Sequence, residues 1–237
     1  SAPTFYIGGH GEALHFAKAA LLQQGFTFSE MPDNSVTHLL LGSPAFEADG
    51  KLKGGGRLED ILPAFNKNIH ILGGNLTCPL LQNYHTIDFL KDPSYLAENA
   101  NITAYCALKV ATNHIQTIWK GLPVLVIGWG RIGKCLSRLL KALDADVSVG
   151  LRNPSDTAIL NALGCDTLDS SCFGEELSRY RVIFNTVPAV VIPKEIAAYC
   201  QKNCIKIENY IVNFFISNII LHISKFIFCK FKFSIRY

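Results

Sequence analysis

Val124-Leu125-Val126-Ile127-Gly128-Trp129-Gly130-Arg131-Ile132-Gly133 is the stretch that decides the fold of this chain. Its first four residues are uninterruptedly apolar, as a parallel strand buried on both faces requires. Behind the glycines, Ile132–Leu143 sets Ile132, Cys135, Leu136, Leu139, Leu140 and Leu143 at helical spacing, and Ala145–Leu151 reads as a second strand. A strand, a G-x-G-x-x-G loop, a helix and a second strand together make a dinucleotide-binding unit. The first glycine allows the tight turn, the second lets the backbone approach a pyrophosphate, and the third lets the helix pack close to the strand. Free N–H groups and the positive end of the helix dipole then favour the phosphates. The motif alone says little; its flanking elements give it meaning. Gly128, Trp129, Gly130, Arg131, Ile132 and Gly133 are therefore the predicted cofactor contacts.

The tip of the second strand indicates which dinucleotide. A site for NAD usually places Asp or Glu about 20 residues on, against the ribose 2′-hydroxyl. Here the strand ends Gly150-Leu151-Arg152-Asn153, with Asp146 at its beginning and Asp156 beyond the turn. Arg152 offers a planar fork of donors suited to a 2′-phosphate, so NADP is expected ahead of NAD, with Asn153 beside it. Asn185-Thr186-Val187-Pro188 leaves a further strand at its carboxyl end, where open α/β sheets bind ligands. Thr186, Val187 and Pro188 join the predicted site on that ground.

Outward from this core the chain alternates strands and helices, the pattern of α/β layers with mostly parallel sheets. Strands are expected at Thr4–Ile7, Phe26–Phe28, His38–Leu41 and Ile69–Leu72, with helices at Leu14–Leu22 and Leu58–Phe65. Gly8-Gly9-His10-Gly11 reads as a structural turn, and Lys51–Gly56 as a polar loop. A helix over residues 102–118, carrying Ile102, Tyr105, Cys106, Val110, Ile115 and Ile118, connects two domains. After Leu151 come a helix at Thr157–Leu163, strands at Cys165–Leu168 and Val182–Asn185, and a helix from Pro193. The expected division is residues 1–101 as a family-specific α/β domain, 102–121 as connector, 122–202 as the nucleotide domain and 203–237 as a tail.

The 237 residues are 49% hydrophobic and 17% charged, the composition of a chain that buries a core rather than of a disordered one. Formal net charge is +3. Residues 203–237 hold five Lys/Arg and one acid, a net of +4, leaving 17 basic and 18 acidic residues, or −1, for the remainder. A nearly neutral body gives no electrostatic reason to expect nucleic acid. The eight cysteines are irregularly spaced without a C-x-x-C pair, which reads as reduced thiols in a cytosolic protein rather than a disulfide framework or zinc site.

The tail contains nine Ile and six Phe but no Gly, Ala, Pro, Asp or Thr. Tyr210–Phe228 is about as long as a bilayer span needs. Asn213, Asn218, His222 and Lys225 interrupt it, and a lysine at a helix centre costs about 2.5–3.5 kcal/mol. The composition fits translation of AT-rich DNA out of frame better than a membrane anchor, and the expected fold is a nucleotide domain truncated or frameshifted at its C-terminus.

Val124–Leu143 with its Gly-Trp-Gly-Arg-Ile-Gly loop, Val147-Ser148-Val149-Gly150-Leu151-Arg152 and Ile183–Pro188 resemble the family of dipicolinate synthase A subunits from spore-forming bacteria. Asn101-Ile102-Thr103-Ala104 resembles that family's helix start. The resemblance covers about Thr4 to Gln201 and is most specific in the second domain. It implies a two-domain oxidoreductase using NADP to oxidise a dihydrodipicolinate-type precursor to dipicolinate during sporulation. It further implies a cytoplasmic location and partnership with a flavoprotein-like B subunit; a homo-oligomer is compatible with it. Two departures stand out. Tyr105-Cys106 occupies the place of a family Glu-Gly, and the Ile/Phe-rich tail replaces a family Pro-Gly-Gly loop and closing helix. The same fold type serves D-2-hydroxyacid and alanine dehydrogenases. A D-2-hydroxyacid dehydrogenase-like enzyme and a truncated, non-catalytic nucleotide-binding product are the alternative readings. No catalytic acid or base is assigned by the sequence, and no metal is expected.

Overall fold

The computed structural model describes residues 3–208. They divide into two compact units, one running through Asn99 and the other starting at Ala100. Each unit is built on its own five-stranded, wholly parallel sheet.

In the first unit, β1 (Thr4–Gly8), α1 (Glu12–Gln23), β2 (Thr27–Phe28), β3 (His38–Leu41), α2 (Leu58–Ile61), β4 (His70–Gly73) and β5 (His85–Asp88) give the strand order β2-β1-β3-β4-β5. Successive strand residues point to opposite faces, so Leu39, Leu41 and Ile71 enter one apolar cluster while Phe5, Leu40 and Leu72 enter the other. On α1 the buried residues are Leu14, Ala17 and Leu21. Leu22 is 49% exposed, because eight residues at 100° each carry it about 80° around from Leu14.

The helix expected over residues 102–118 lies instead at Pro93–Thr112, here α3. Its start is set by Asp92, whose Oδ1 accepts hydrogen bonds from the Ser94 and Tyr95 N–H groups, with Pro93 where a first turn tolerates it. The buried face is made of small residues, Ala100, Thr103, Ala104, Cys106, Ala107 and Ala111, while Tyr105 is exposed. Past Thr112 the chain turns, and Ile118 is exposed.

The second unit runs β6 (Pro123–Ile127), α4 (Arg131–Ala142), β7 (Asp146–Leu151), α5 (Thr157–Ala162), β8 (Asp166–Asp169), β9 (Val182–Asn185), α6 (Lys194–Ala197) and β10 (Ile205–Glu208). The order β10-β9-β6-β7-β8 puts the first strand in the centre and reverses direction between β6 and β9, the doubly wound arrangement. The fold is therefore α/β with two Rossmann-like units. Val124, Leu125 and Val126 are fully buried on β6. On α4, Leu136, Leu139 and Leu140 are buried, but Leu143 falls past the helix end and is 40% exposed.

One expectation fails at the sheet's edge. Residues 205–208, expected in the tail, form β10 and pair with β9 from Ile205↔Val182 to Glu208↔Asn185. Their alternation, with Ile207 buried and Lys206 exposed, suits a strand at a sheet edge and is hidden inside an Ile-rich segment. The candidate span Tyr210–Phe228 lies outside the described residues. Among the described residues no helix is long and apolar enough to cross a membrane.

Candidate functional site

Ligands of open α/β sheets bind beyond the carboxyl ends of the strands where the order reverses. In the second unit those strands are β6 and β9. β6 delivers Gly128, whose N–H donates to the Gly150 carbonyl at 3.0 Å, and β9 delivers Thr186. The Thr186 N–H and Oγ1 both donate to the Ile127 carbonyl, at 3.0 and 2.9 Å. The two strand ends are thus fastened to each other.

Two of the three loop glycines, Gly128 and Gly133, are sterically required, and the third leaves open space. Gly128 has φ +101°, and a Cβ there would lie 2.7 Å from Val187 Cγ1 and 2.9 Å from Thr186 Oγ1. A Cβ on Gly133, in the first turn of α4, would run into the Gly128 carbonyl oxygen. Gly130 caps α4 without a side-chain hydrogen bond, and a Cβ there would meet no atom within 4 Å. Open space over Gly130 lies beside the first N–H groups of α4, which have no intrahelical acceptor. Such a surface admits an anion close to the backbone. Arg131 is exposed, Ile132 and Trp129 are half-buried, and Lys134 holds its Nζ 5.6 Å from the Trp129 ring centroid, a cation–π distance.

At the tip of β7, Gly150 pairs with Ile127, so the residues after it emerge beside the glycine loop. Leu151 is 8% exposed and brings no carboxylate. Arg152 and Asn153 follow, both exposed, and Asn153 Oδ1 accepts the Ser155 N–H at 3.1 Å. Asp146 stands at the far end of the strand and Asp156 in the turn before α5. The structure thus brings Gly128–Gly133 together with Thr186 and Val187, places Arg152 on the neighbouring strand tip, and leaves Pro188 exposed.

Asn185 belongs with these residues, although sequence reasoning gives weight only to its successors. It is 5% exposed; its Nδ2 donates to the Ala189 carbonyl and its Oδ1 accepts the Val187 N–H. A buried asparagine closing an apolar strand is the available signal, since a polar side chain there must satisfy its hydrogen bonds locally.

The histidines near the strand ends of the first unit form a row. His38, His70 and His85 open β3, β4 and β5, and the register aligns them with one another and His38 with Phe5. This row lies at the amino ends of the strands, opposite the end at which such sheets bind ligands. Burial, with His70 beside it, pulls His38 down to about 4. In the Gly8–Gly11 turn, His10 N–H donates to the Lys53 carbonyl and the Lys51–Gly56 loop packs against it, so backbone contact accounts for Gly9. Among the described residues no group of three or more His, Cys, Asp or Glu side chains is placed to hold a metal.

No family model matches the chain. The dipicolinate synthase A subunit of Bacillus subtilis (strain 168) is 27% identical over 94 residues, 40% of this chain. The match spans about a third of that relative's length, 32%. A crystal structure of the dipicolinate synthase A chain from Bacillus subtilis superposes with TM-score 0.68 at 16% identity, covering 99% of this chain and 98% of that one. The A-subunit structure from Bacillus halodurans gives 0.68 at 21% identity over 86% and 80%. The apo-structure of D-lactate dehydrogenase from Escherichia coli gives 0.53 at 15% over 86% and 73%, so the fold is one that dehydrogenases use. By sequence over the matched stretch and by fold over the chain, this protein is similar to the dipicolinate synthase A subunits.

Proposed function

We propose that the chain binds NADP at Gly128–Gly133 and acts as an oxidoreductase of the dipicolinate synthase A-subunit type. In this reading a dihydrodipicolinate-like substrate is oxidised to dipicolinate in the cytoplasm during sporulation, in partnership with a flavoprotein-like B subunit. Residues 122–208, β10 included, form the nucleotide domain and residues 1–101 the family-specific one.

One observation carries the choice of cofactor. The position at the tip of β7 is a buried leucine, and the next residue is an exposed arginine beside the glycine loop. A ribose 2′-hydroxyl finds no carboxylate there, whereas a 2′-phosphate finds a guanidinium. The loop fits a pyrophosphate because Gly130 leaves open space over the start of α4. Backbone N–H groups of Arg131 and Ile132 would hold the phosphates, with Thr186 and Val187 walling the opposite side. When bound, the nicotinamide supplies hydride acceptance; the chain's own residues fasten and orient it.

Fluorescence titration of the full chain with NADPH and NADH tests the cofactor. NADPH is expected to bind more tightly, and equal affinities overturn the assignment. Assay of dipicolinate formation with and without the B subunit tests the reaction, and failure to form product in its presence removes the substrate proposal.

A further inference from the structure

Arg181 is fixed along both its backbone and its side chain. Its N–H donates to the Pro123 carbonyl at 2.9 Å and its carbonyl accepts the Ile205 N–H at 2.9 Å, which ties it to β6 on one side and β10 on the other. Its guanidinium Nη1 donates to Gln201 Oε1 at 3.2 Å, and Gln201 Nε2 donates in turn to the Ser178 carbonyl at 2.6 Å. Among the described residues Arg181 makes no ion pair. It lines a cavity of about 280 Å³ instead. Leu122 precedes β6, Arg181 precedes β9 and Ile205 begins β10, so the cavity lies at the amino ends of these strands, whereas the glycine loop lies at the carboxyl end of β6. Ile115, Leu122 and Ile205 give the cavity an apolar wall, and His114, Gln116, Thr117 and Asn203 line it with hydrogen-bonding side chains. Among the described residues that line it, none is acidic.

We propose that this cavity binds a small organic anion, one carboxylate or phosphate group on a short apolar body, with Arg181 as its anchor. One N–H of the guanidinium is spent on Gln201. The Nε–Nη2 edge keeps the parallel pair of donors that a carboxylate or phosphate accepts. Because Gln201 already orients the guanidinium, less side-chain freedom is lost when the anion arrives. The volume sits near the lower end of ligand pockets, about 300 Å³, which limits the occupant to a small molecule. Its body rests against Ile115, Leu122 and Ile205. Occupancy fastens the starts of β9 and β10 to the segment that follows α3 and leaves the surface over Gly130 free. The site therefore stands independently of the nucleotide reading.

Isothermal titration of the full chain with inorganic phosphate and, separately, with butyrate tests the proposal, the two probes distinguishing a phosphate head from a carboxylate. Saturable binding of at least one probe is expected. Arg181→Gln should weaken it by about tenfold or more, the worth of charge-assisted hydrogen bonds. Arg179, ion-paired with Glu176 and not part of the cavity lining, is the control, and Arg179→Gln should leave the affinity unchanged. Absence of saturable binding of both probes overturns the proposal. So does an affinity that Arg181→Gln leaves as in wild type, since the anion then sits elsewhere, for instance at the glycine loop. A second readout needs no variant. Phenylglyoxal modification of the wild-type chain, mapped by mass spectrometry, should be slowed by the bound probe at Arg181 and not at Arg179. An Arg181 rate that the probe does not change overturns the proposal even where the glutamine variant fails to fold.

Discussion

His38 stacks on His70 across β3 and β4, with ring centroids 5.1 Å apart and planes 14° from parallel. Phe5 stacks on the other side of His38 at 4.9 Å, Phe28 on Phe5 at 5.5 Å, and His85 on His70 at 5.4 Å. A row of five aromatic rings therefore crosses every strand of the first sheet. Such cross-strand pairs are the unit of sheet stabilisation, but three of these rings can take up a proton.

That row makes the first unit acid-sensitive. His38 falls from 6.5 to about 4 through burial first and His70 second, and His70 is lowered by burial and by His85. The unfolded chain then binds protons that the folded chain refuses, so stability is present above about pH 6.5 and is lost as pH falls toward 4. For His38 alone the loss amounts to at most about 3 kcal/mol. Urea unfolding followed by far-UV circular dichroism should show it. His38→Phe, which keeps the stacking, should flatten the dependence between pH 6.5 and 4; an unchanged slope would mean that the acid sensitivity lies elsewhere.

Alanine at Gly133 and at Gly130 should separate fold from binding. In a helix, Gly→Ala ordinarily stabilises by up to about 1 kcal/mol. At Gly133 the new methyl meets the Gly128 carbonyl, so the sign reverses, with a cost of about 1–3 kcal/mol. Both tryptophans of the chain, Trp119 and Trp129, lie in the second unit, so their fluorescence during urea unfolding reports it directly. Gly130→Ala should change stability by less than about 0.5 kcal/mol and still weaken NADPH binding.

Arg152→Ala should weaken NADPH by about 10- to 100-fold, the worth of charged hydrogen bonds to a phosphate. NADH affinity should stay as it was. Isothermal titration of both nucleotides against both proteins is the measurement, and an NADPH affinity that survives the substitution removes Arg152 from the site.

Thr186→Val removes the hydroxyl that donates to the Ile127 carbonyl at 2.9 Å while keeping the branched shape. The loss should be about 1 kcal/mol in the second unit, seen as a lower urea midpoint by tryptophan fluorescence. A midpoint equal to wild type would show that the Thr186 N–H alone fastens the two strand ends.

Elements with continuous apolar runs are legible in the sequence. β9 falls at Val182–Asn185 as read, and β6 and β7 within a residue, because strands buried on both faces are mainly apolar along their length. Edge strands are not. β5, His85-Thr86-Ile87-Asp88, has one aliphatic residue, and β10 alternates Ile with Lys and Glu. α3 is displaced from its expected place because its buried face is alanine-rich, whereas large side chains such as Tyr105 and Ile118, which suggest a helix lying later in the chain, are exposed. Its true start is written in Asp92-Pro93, a cap and a first-turn proline. At the candidate site the glycines are legible because backbone geometry demands them locally. Asn185 is not, since its role depends on the turn it folds back upon.

The fastening of Thr186 to Ile127 and Gly128 also fixes when the site can exist during folding. β6, α4 and β7 are contiguous in sequence, whereas the Thr186 hydroxyl reaches Gly128 across 58 residues. Local contacts form early and distant ones carry the greater loop-closure cost. The glycine turn can therefore assemble with its own helix first, and gains its second wall only when β9 docks beside β6. A chain arrested before that docking would display the fingerprint while lacking the groove.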